Sequence, residues 1–325
     1  MDTKLQDICD LFVKNSNVFK DTFKWEFGSM CLVGGVLFAS KGKEVTSEEL
    51  VESEHILNEE EGFFSEFRGI IKVAVVSAMA LSGDPRTYIK NVNAIYKKIK
   101  AGKILSSEQQ ALAAMLIYEN KKDDYDPYVL KLKELFDLHN NKHPFLTDEN
   151  DLSILATCAL SEIDAQKLFD DAEECFNIIK EKYSQNAAQS LAMVLSMYDD
   201  TPKNKCDKTF ELINLLTEKD IKLAKEWSLA TIGMLAMSSC DFNDISTKIK
   251  DVDNYISKQS GFGPTSLPVT TRTMFATLLV SSINDGKLAK IQTSVLSSTL
   301  TEIIIINLLL LVIVINNTNR MVTTH

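Results

Sequence analysis

Two arginines are the side chains of this sequence best placed to hold a ligand. Arg68 lies between Phe67 and Gly69 in a connector, and Arg272 stands beside a second connector. A guanidinium at the junction of two helices can grip an anionic group through parallel N–H donors. The competing expectation is that each arginine pairs with carboxylates of the next hairpin. Other constellations carry less. His139 and His143 are four residues apart, so one helix face can present both, with Asp137 nearby. Pro144 ends the helix there, however, and no third ligand is identifiable. The run Asp170-Asp171-Ala172-Glu173-Glu174 has the spacing of a magnesium–diphosphate motif, and Asn243-Asp244-Ile245-Ser246-Thr247 with Asp251 loosely echoes its usual companion. These two runs belong to outer helices of different hairpins, and with 45 acidic residues chance matches are expected. The acids of Asp123-Asp124-Tyr125-Asp126 precede a helix start, where the dipole favours them. His55 and His325 are the only other histidines, so no serine or cysteine triad can be assembled. Phosphate-loop and dinucleotide-binding glycines are absent. No catalytic residue, metal ligand or cofactor is therefore expected.

Composition bounds the partners. A chain of 325 residues with 45% hydrophobic and 25% charged residues can bury a sizeable core. The formal charge of −10 argues against a nucleic-acid partner, which needs a basic footprint. The lysines of Tyr96-Lys97-Lys98-Ile99-Lys100 read as the solvated face of a helix whose buried face carries Tyr96 and Ile99. Cys9, Cys31, Cys158, Cys175, Cys206 and Cys240 contain no Cys-x-x-Cys pair and sit mostly among apolar neighbours. They read as small core residues in a reducing compartment, and with no signal-peptide layout the cytoplasm is the expected location.

The elements that must position Arg68 and Arg272 follow a repeat. Apolar, Ala-rich segments recur at Leu32–Ser40, Val73–Ser82, Leu112–Tyr118, Leu152–Ser161, Leu191–Met197, Leu229–Ser238 and Met274–Ser282. Their starts lie roughly 35–45 residues apart, the range of helical-hairpin repeats. Amphipathic segments alternate with them. Val92, Ile95, Tyr96 and Ile99 share one helix face, as do Leu168, Ala172, Cys175, Phe176 and Ile179. Asp84-Pro85, Asp126-Pro127 and Thr201-Pro202 read as an N-cap followed by proline at the first helical position. Thr46–Glu49 and Ser106–Gln109 have capping-box spacing. The connectors carrying Phe63, Phe64, Phe145 and Phe262 predict an aromatic plug at each junction, and Trp25 and Trp227 are expected as core anchors. The alternative, βαβ units, fits poorly, because the apolar runs favour Ala, Met and Leu over Val and Ile. The predicted fold is all-α: stacked antiparallel helical hairpins, roughly six to seven pairs, forming one helical-repeat domain over residues 1–302.

Residues 303–325 break the pattern as an apolar terminal helix and a polar tail. The stretch from Ile303 to Ile315 is about 13 residues, short of the ~20 that a membrane span needs. Burial against the stack is the expectation, with a tail anchor or peripheral membrane contact, aided by Arg320, as the alternative.

Phe23-Lys24-Trp25-Glu26, Ala39-Ser40-Lys41-Gly42-Lys43-Glu44-Val45, Phe64-Ser65-Glu66-Phe67-Arg68-Gly69, Phe145-Leu146-Thr147 and the stretch from Gly261 through Arg272 to Ser282 resemble a bacterial family catalogued as domain of unknown function 4003. The likeness spans nearly the whole chain in motif order. It implies an all-helical protein of this length and supplies no activity, cofactor or site residue. Two functional readings follow from the residues. The leading one is a non-catalytic protein-binding or scaffolding module that holds a protein or peptide on its stacked hairpins. The other is a binder of an anionic metabolite, or an enzyme, with a pocket between hairpins and Arg68 and Arg272 as ligand-binding residues.

Overall fold

Two kinds of helix alternate along the chain, and burial separates them. The outer kind comprises α1 (Thr3–Thr22), α3 (Ser47–Glu60), α5 (Pro85–Lys100), α7 (Asp126–Lys142), α9 (Ala165–Ile179), α11 (Pro202–Glu218) and α13 (Phe242–Ile256). Each buries one stripe. In α5 that stripe is Tyr88, Ile89, Val92, Ile95, Tyr96 and Ile99, while Lys97, Lys98 and Lys100 face water. The inner kind comprises α2 (Gly28–Ser40), α4 (Lys72–Ser82), α6 (Glu108–Asn120), α8 (Leu152–Leu160), α10 (Gln185–Ser196), α12 (Leu229–Ala236) and α14 (Val269–Ile283). All nine residues of α8 are buried, as is α6 from Gln109 to Tyr118. A helix without a polar face is stable only when neighbours shield it on every side. The computed structural model describes residues 1–24, 28–63, 65–101, 107–120, 124–223 and 228–283, and no strand occurs among them.

Each outer helix packs on the inner helix that follows it, and successive outer helices pack on one another. Successive inner helices do the same from α6 to α14 and between α2 and α4. Between α4 and α6 the 3-10 turn Glu66–Arg68 touches both. The order of neighbours then returns to its start: α14 packs against α1 and α2, and α13 against α1. Aromatic rings fill that closing seam. Phe12 of α1 stacks on Phe275 of α14 at 5.6 Å and meets Phe262 edge-on at 5.6 Å. Across the same seam Tyr255 donates to Asp10.

Small residues set how closely the helices approach. A Cβ on Gly35 would lie 2.1 Å from Ser16 Oγ, and one on Gly34 2.4 Å from the Phe19 ring, so α1 and α2 touch through bare backbone. Local signals hold at three of the predicted helix starts. Thr46 and Glu49 form the capping box, and Asp84 and Thr201 cap helices that begin with proline. Asp126 does not act as an N-cap: α7 begins at Asp126 itself, behind Tyr125, with no side-chain cap bond. Ser106 lies outside the described residues, as do Trp25, Phe64, Trp227 and everything from 284 onward, including the apolar stretch 303–315.

The aromatic plug holds at Phe262 and not at Phe63 or Phe145. Phe262 is fully buried, whereas Phe63 is 78% exposed and Phe145 wholly exposed. Phe67, three residues after Phe64, is the buried ring of its connector, edge-on to Tyr96 at 5.3 Å. Among the described residues no helix is long and apolar enough to cross a membrane.

Candidate functional site

The connectors that lead from an outer helix into an inner one gather at one end of the molecule. Contacts between them establish this. Glu108, at the start of α6, accepts from the Ile70 N–H of the α3–α4 connector at 2.6 Å. Gln109 donates to Asn150 at 3.5 Å, and Gln189 in the first turns of α10 donates to Asp151 at 3.2 Å and to Thr147 at 3.4 Å. Lys20, near the end of α1, lies 4.2 Å from the Phe262 ring centroid. We call this end the entrance face. It holds the N-termini of the inner helices, whose free N–H groups make it the positive end of their dipoles.

One part of the face is a polar network centred on Asp151. One carboxylate oxygen accepts from Gln189 Nε2 and, at 3.0 Å, from the Asp148 N–H. Burial pushes the carboxyl up to about 7, against the Asp148 N–H bond that pulls the other way, and the Asp148 charge adds to the rise. Gln109 and Gln189 both use their amide nitrogens in this network, and both of their buried oxygens lack a partner.

The other part is a cavity of about 990 Å³ where the entrances of α10, α12 and α14 meet. Its floor is apolar: Ile213, Ile221 and Leu229 are buried there. The turn after α11 delivers Ile221. Asp220 adopts a left-handed conformation at φ 57°, its N–H bonds Thr217 O at 3.0 Å, and the Ile221 N–H returns to Leu216 O at 2.9 Å. That pair of bonds folds the chain back over the helix end, a role glycine usually fills and a short polar side chain tolerates. The rim carries Lys180, Lys182 and Tyr183. Lys182 lies 3.9 Å from the Phe210 ring centroid, and Lys180 lies 5.2 Å from that of Phe176 and donates to Asn177. Among the described residues neither ammonium meets a carboxylate, whereas Lys222 pairs with Asp220.

Neither arginine expected to bind a ligand lines the cavity. Arg68 is half-buried in the α3–α4 connector, donates to Glu61 O at 3.1 Å and lies 5.7 Å from the Phe63 ring centroid. No described carboxylate pairs with it. Arg272 is 4% exposed, with Nε 2.6 Å and Nη2 3.2 Å from the two Asp253 oxygens, so its ion pair ties α14 to the adjacent α13. Its Nη1 is buried without a partner. Val269 and Thr270, just before it, do line the cavity.

The other sequence motifs resolve into packing. His143 Nε2 lies 2.7 Å from Glu173 Oε1. His139 is buried edge-on against Phe169, and burial lowers its pKa to about 4, which keeps it neutral. The acids of the 170–174 run are drawn apart: Asp171 pairs with the buried Lys205, Glu173 with His143, and Asp170 accepts from Gln166. Among the described residues no three His, Cys, Asp or Glu side chains converge as metal ligands.

Sequence reasoning missed both parts of the entrance face. The acidic run ending at Asp151 was visible, but its partner Gln189 lies 38 residues onward. Lys180 to Tyr183 match no binding motif, and the cavity they rim forms only where α9 to α14 meet.

The family described as "Protein of unknown function (DUF4003)" matches residues 15–308. The chain belongs to it. The match covers both parts of the entrance face as well as Arg68 and Arg272, and so every feature that a function can rest on here. No curated protein and no solved structure matches the chain.

Proposed function

We propose that this member of the family binds a small anionic molecule in the cavity on its entrance face. The observation that carries the reading is the cavity itself, with an apolar floor and two lysines that no described carboxylate neutralises. Its volume of about 990 Å³ matches that of small-molecule sites, which also combine apolar walls with a few polar anchors. The packing order supports the arrangement of stacked antiparallel hairpins, seven pairs from α1–α2 to α13–α14. Contact of α14 with α1 and α2 supports a ring over an open superhelix. A ring lacks the long concave groove on which open stacks hold peptides, which moves the expected site to the ring's end. The test is a thermal-shift screen of the full chain against phosphates, carboxylates and their uncharged analogues. An anion should raise the melting temperature of wild type, and Lys182→Glu should abolish the shift. A hit that Lys182→Glu leaves intact would move the site elsewhere, and no hit would remove the reading.

Protein binding is the second reading, supported by Phe63 and Phe145, whose rings stand exposed on entrance-face connectors. Exposed aromatics are frequent anchors of protein interfaces. Pull-downs with wild type and with the double variant Phe63→Ser, Phe145→Ser test it. A partner retained equally by both would refute a role for these rings.

A further inference from the structure

We propose that the occupant of the entrance cavity is a single-chain anionic amphiphile, its carboxylate or phosphate head at Lys180 and Lys182 and its hydrocarbon chain along Ile213, Ile221 and Leu229. The inference rests on the reading of the cavity as a ligand site and names the class of ligand.

The lining divides by chemistry. Ile213 and Leu229 come from α11 and α12 and Ile221 from the turn between them, so three positions in sequence build one apolar strip. Val269, at the start of α14, extends it and is 38% exposed. A compact polar anion would contact the lysines and leave in water what this wall still exposes, chiefly Val269, with none of the gain from covering it. An uncharged hydrocarbon would not use the ammonium groups. Those groups are positive charge in a chain whose net charge is −10. Both lie over aromatic rings, Phe176 and Phe210, which hold the long side chains at the rim. Two acids also line the cavity, Glu181 and Asp220, and Asp220 is occupied by Lys222. The Tyr183 ring stacks on Phe210 at 6.2 Å and joins the apolar strip to the lysine rim.

The experiment is isothermal titration of the full chain with a carboxylate series from butyrate to dodecanoate, decyl phosphate, and decyltrimethylammonium, all below their critical micelle concentrations. The dissociation constant should fall with each added methylene, by up to about fourfold per group while the chain still finds apolar wall. Lys180→Glu with Lys182→Glu should weaken decanoate at least tenfold, and Val269→Lys should flatten the chain-length dependence. All three positions are exposed, so folding is expected to survive, and circular dichroism checks it. Decanoate and decyl phosphate together identify which head group is preferred. If butyrate binds as tightly as decanoate and still depends on the lysines, the amphiphile inference is overturned while the anion site stands. Equal binding of decyltrimethylammonium overturns recognition of charge. Absence of binding by every anion overturns both the inference and the reading beneath it.

Discussion

Replacing Asp151 by asparagine should stabilise the protein above neutral pH. In the folded chain burial holds this carboxyl near 7, whereas an unfolded aspartate titrates near 3.9. The sign follows from which state keeps the proton. Below about pH 4 both states are protonated and the carboxyl contributes nothing; as pH rises toward 7 only the unfolded state loses its proton, so stability falls. Above 7 the full penalty is present, about 4 kcal/mol for that separation, and about 2–4 kcal/mol once the residual contact of Asp151 with water is allowed for. Asparagine carries no charge to desolvate. Its oxygen can still accept from the Asp148 N–H and from Gln189 Nε2, as the carboxylate does at 3.0 and 3.2 Å. Urea titrations followed by circular dichroism at pH 4.0 and pH 8.0, on either side of the pI of about 5.1, provide the assay. The variant should match wild type within about 0.5 kcal/mol at pH 4 and exceed it by about 2–4 kcal/mol at pH 8. If Asp151→Asn is the less stable protein at pH 8, the two donors outweigh the burial and the folded carboxyl is not raised above its unfolded value. The argument would then be wrong.

Gly35→Ala should cost about 2–3 kcal/mol by thermal denaturation, since the new methyl would meet Ser16 Oγ and, at 3.0 and 3.1 Å, backbone atoms of Ser16 and Phe12. Gly28→Ala, with nothing within 4 Å, is the control and should be neutral or slightly stabilising. Asp171→Asn should cost about 3–5 kcal/mol, because it strips the counter-charge from Lys205, which has no exposure to water. Lys205→Met, which removes the charge itself, should cost markedly less in the same urea titration, and equal losses would refute this account. Arg272→Lys should lose the two-pronged grip on Asp253 and about 1–2 kcal/mol, and a double-mutant cycle with Asp253→Asn should show coupling between the two.

Much of the architecture was legible one helix at a time. Alternation of one-stripe helices with all-apolar helices is a property of composition and period, and it marked all seven inner helices before any contact was known. Caps and prolines marked the starts of α3, α5 and α11 for the same reason, since a cap bonds within three residues. Arg272 was singled out as a residue that could hold an anionic group or pair with carboxylates of the next hairpin; its guanidinium pairs with Asp253 of α13. Lys205, a residue type that usually faces water, lies on the buried stripe of α11 and pairs with Asp171 of α9.

What the sequence determined by itself is the order of inner and outer helices, because burial on every side or on one side is written in each helix's own residues. Only the tertiary structure decided where the series ends. It lays α14 on α1 and α2, and the closing bond from Tyr255 to Asp10 spans 245 positions, a separation that leaves no local trace. Phe63, Phe145 and Phe262 occupy similar connectors, and the first two stand in solvent while the third is sealed under Phe12 and Lys20. The difference lies in what packs across each ring. The same holds for the cavity: its floor and rim come from segments that meet only when α9 to α14 pack together.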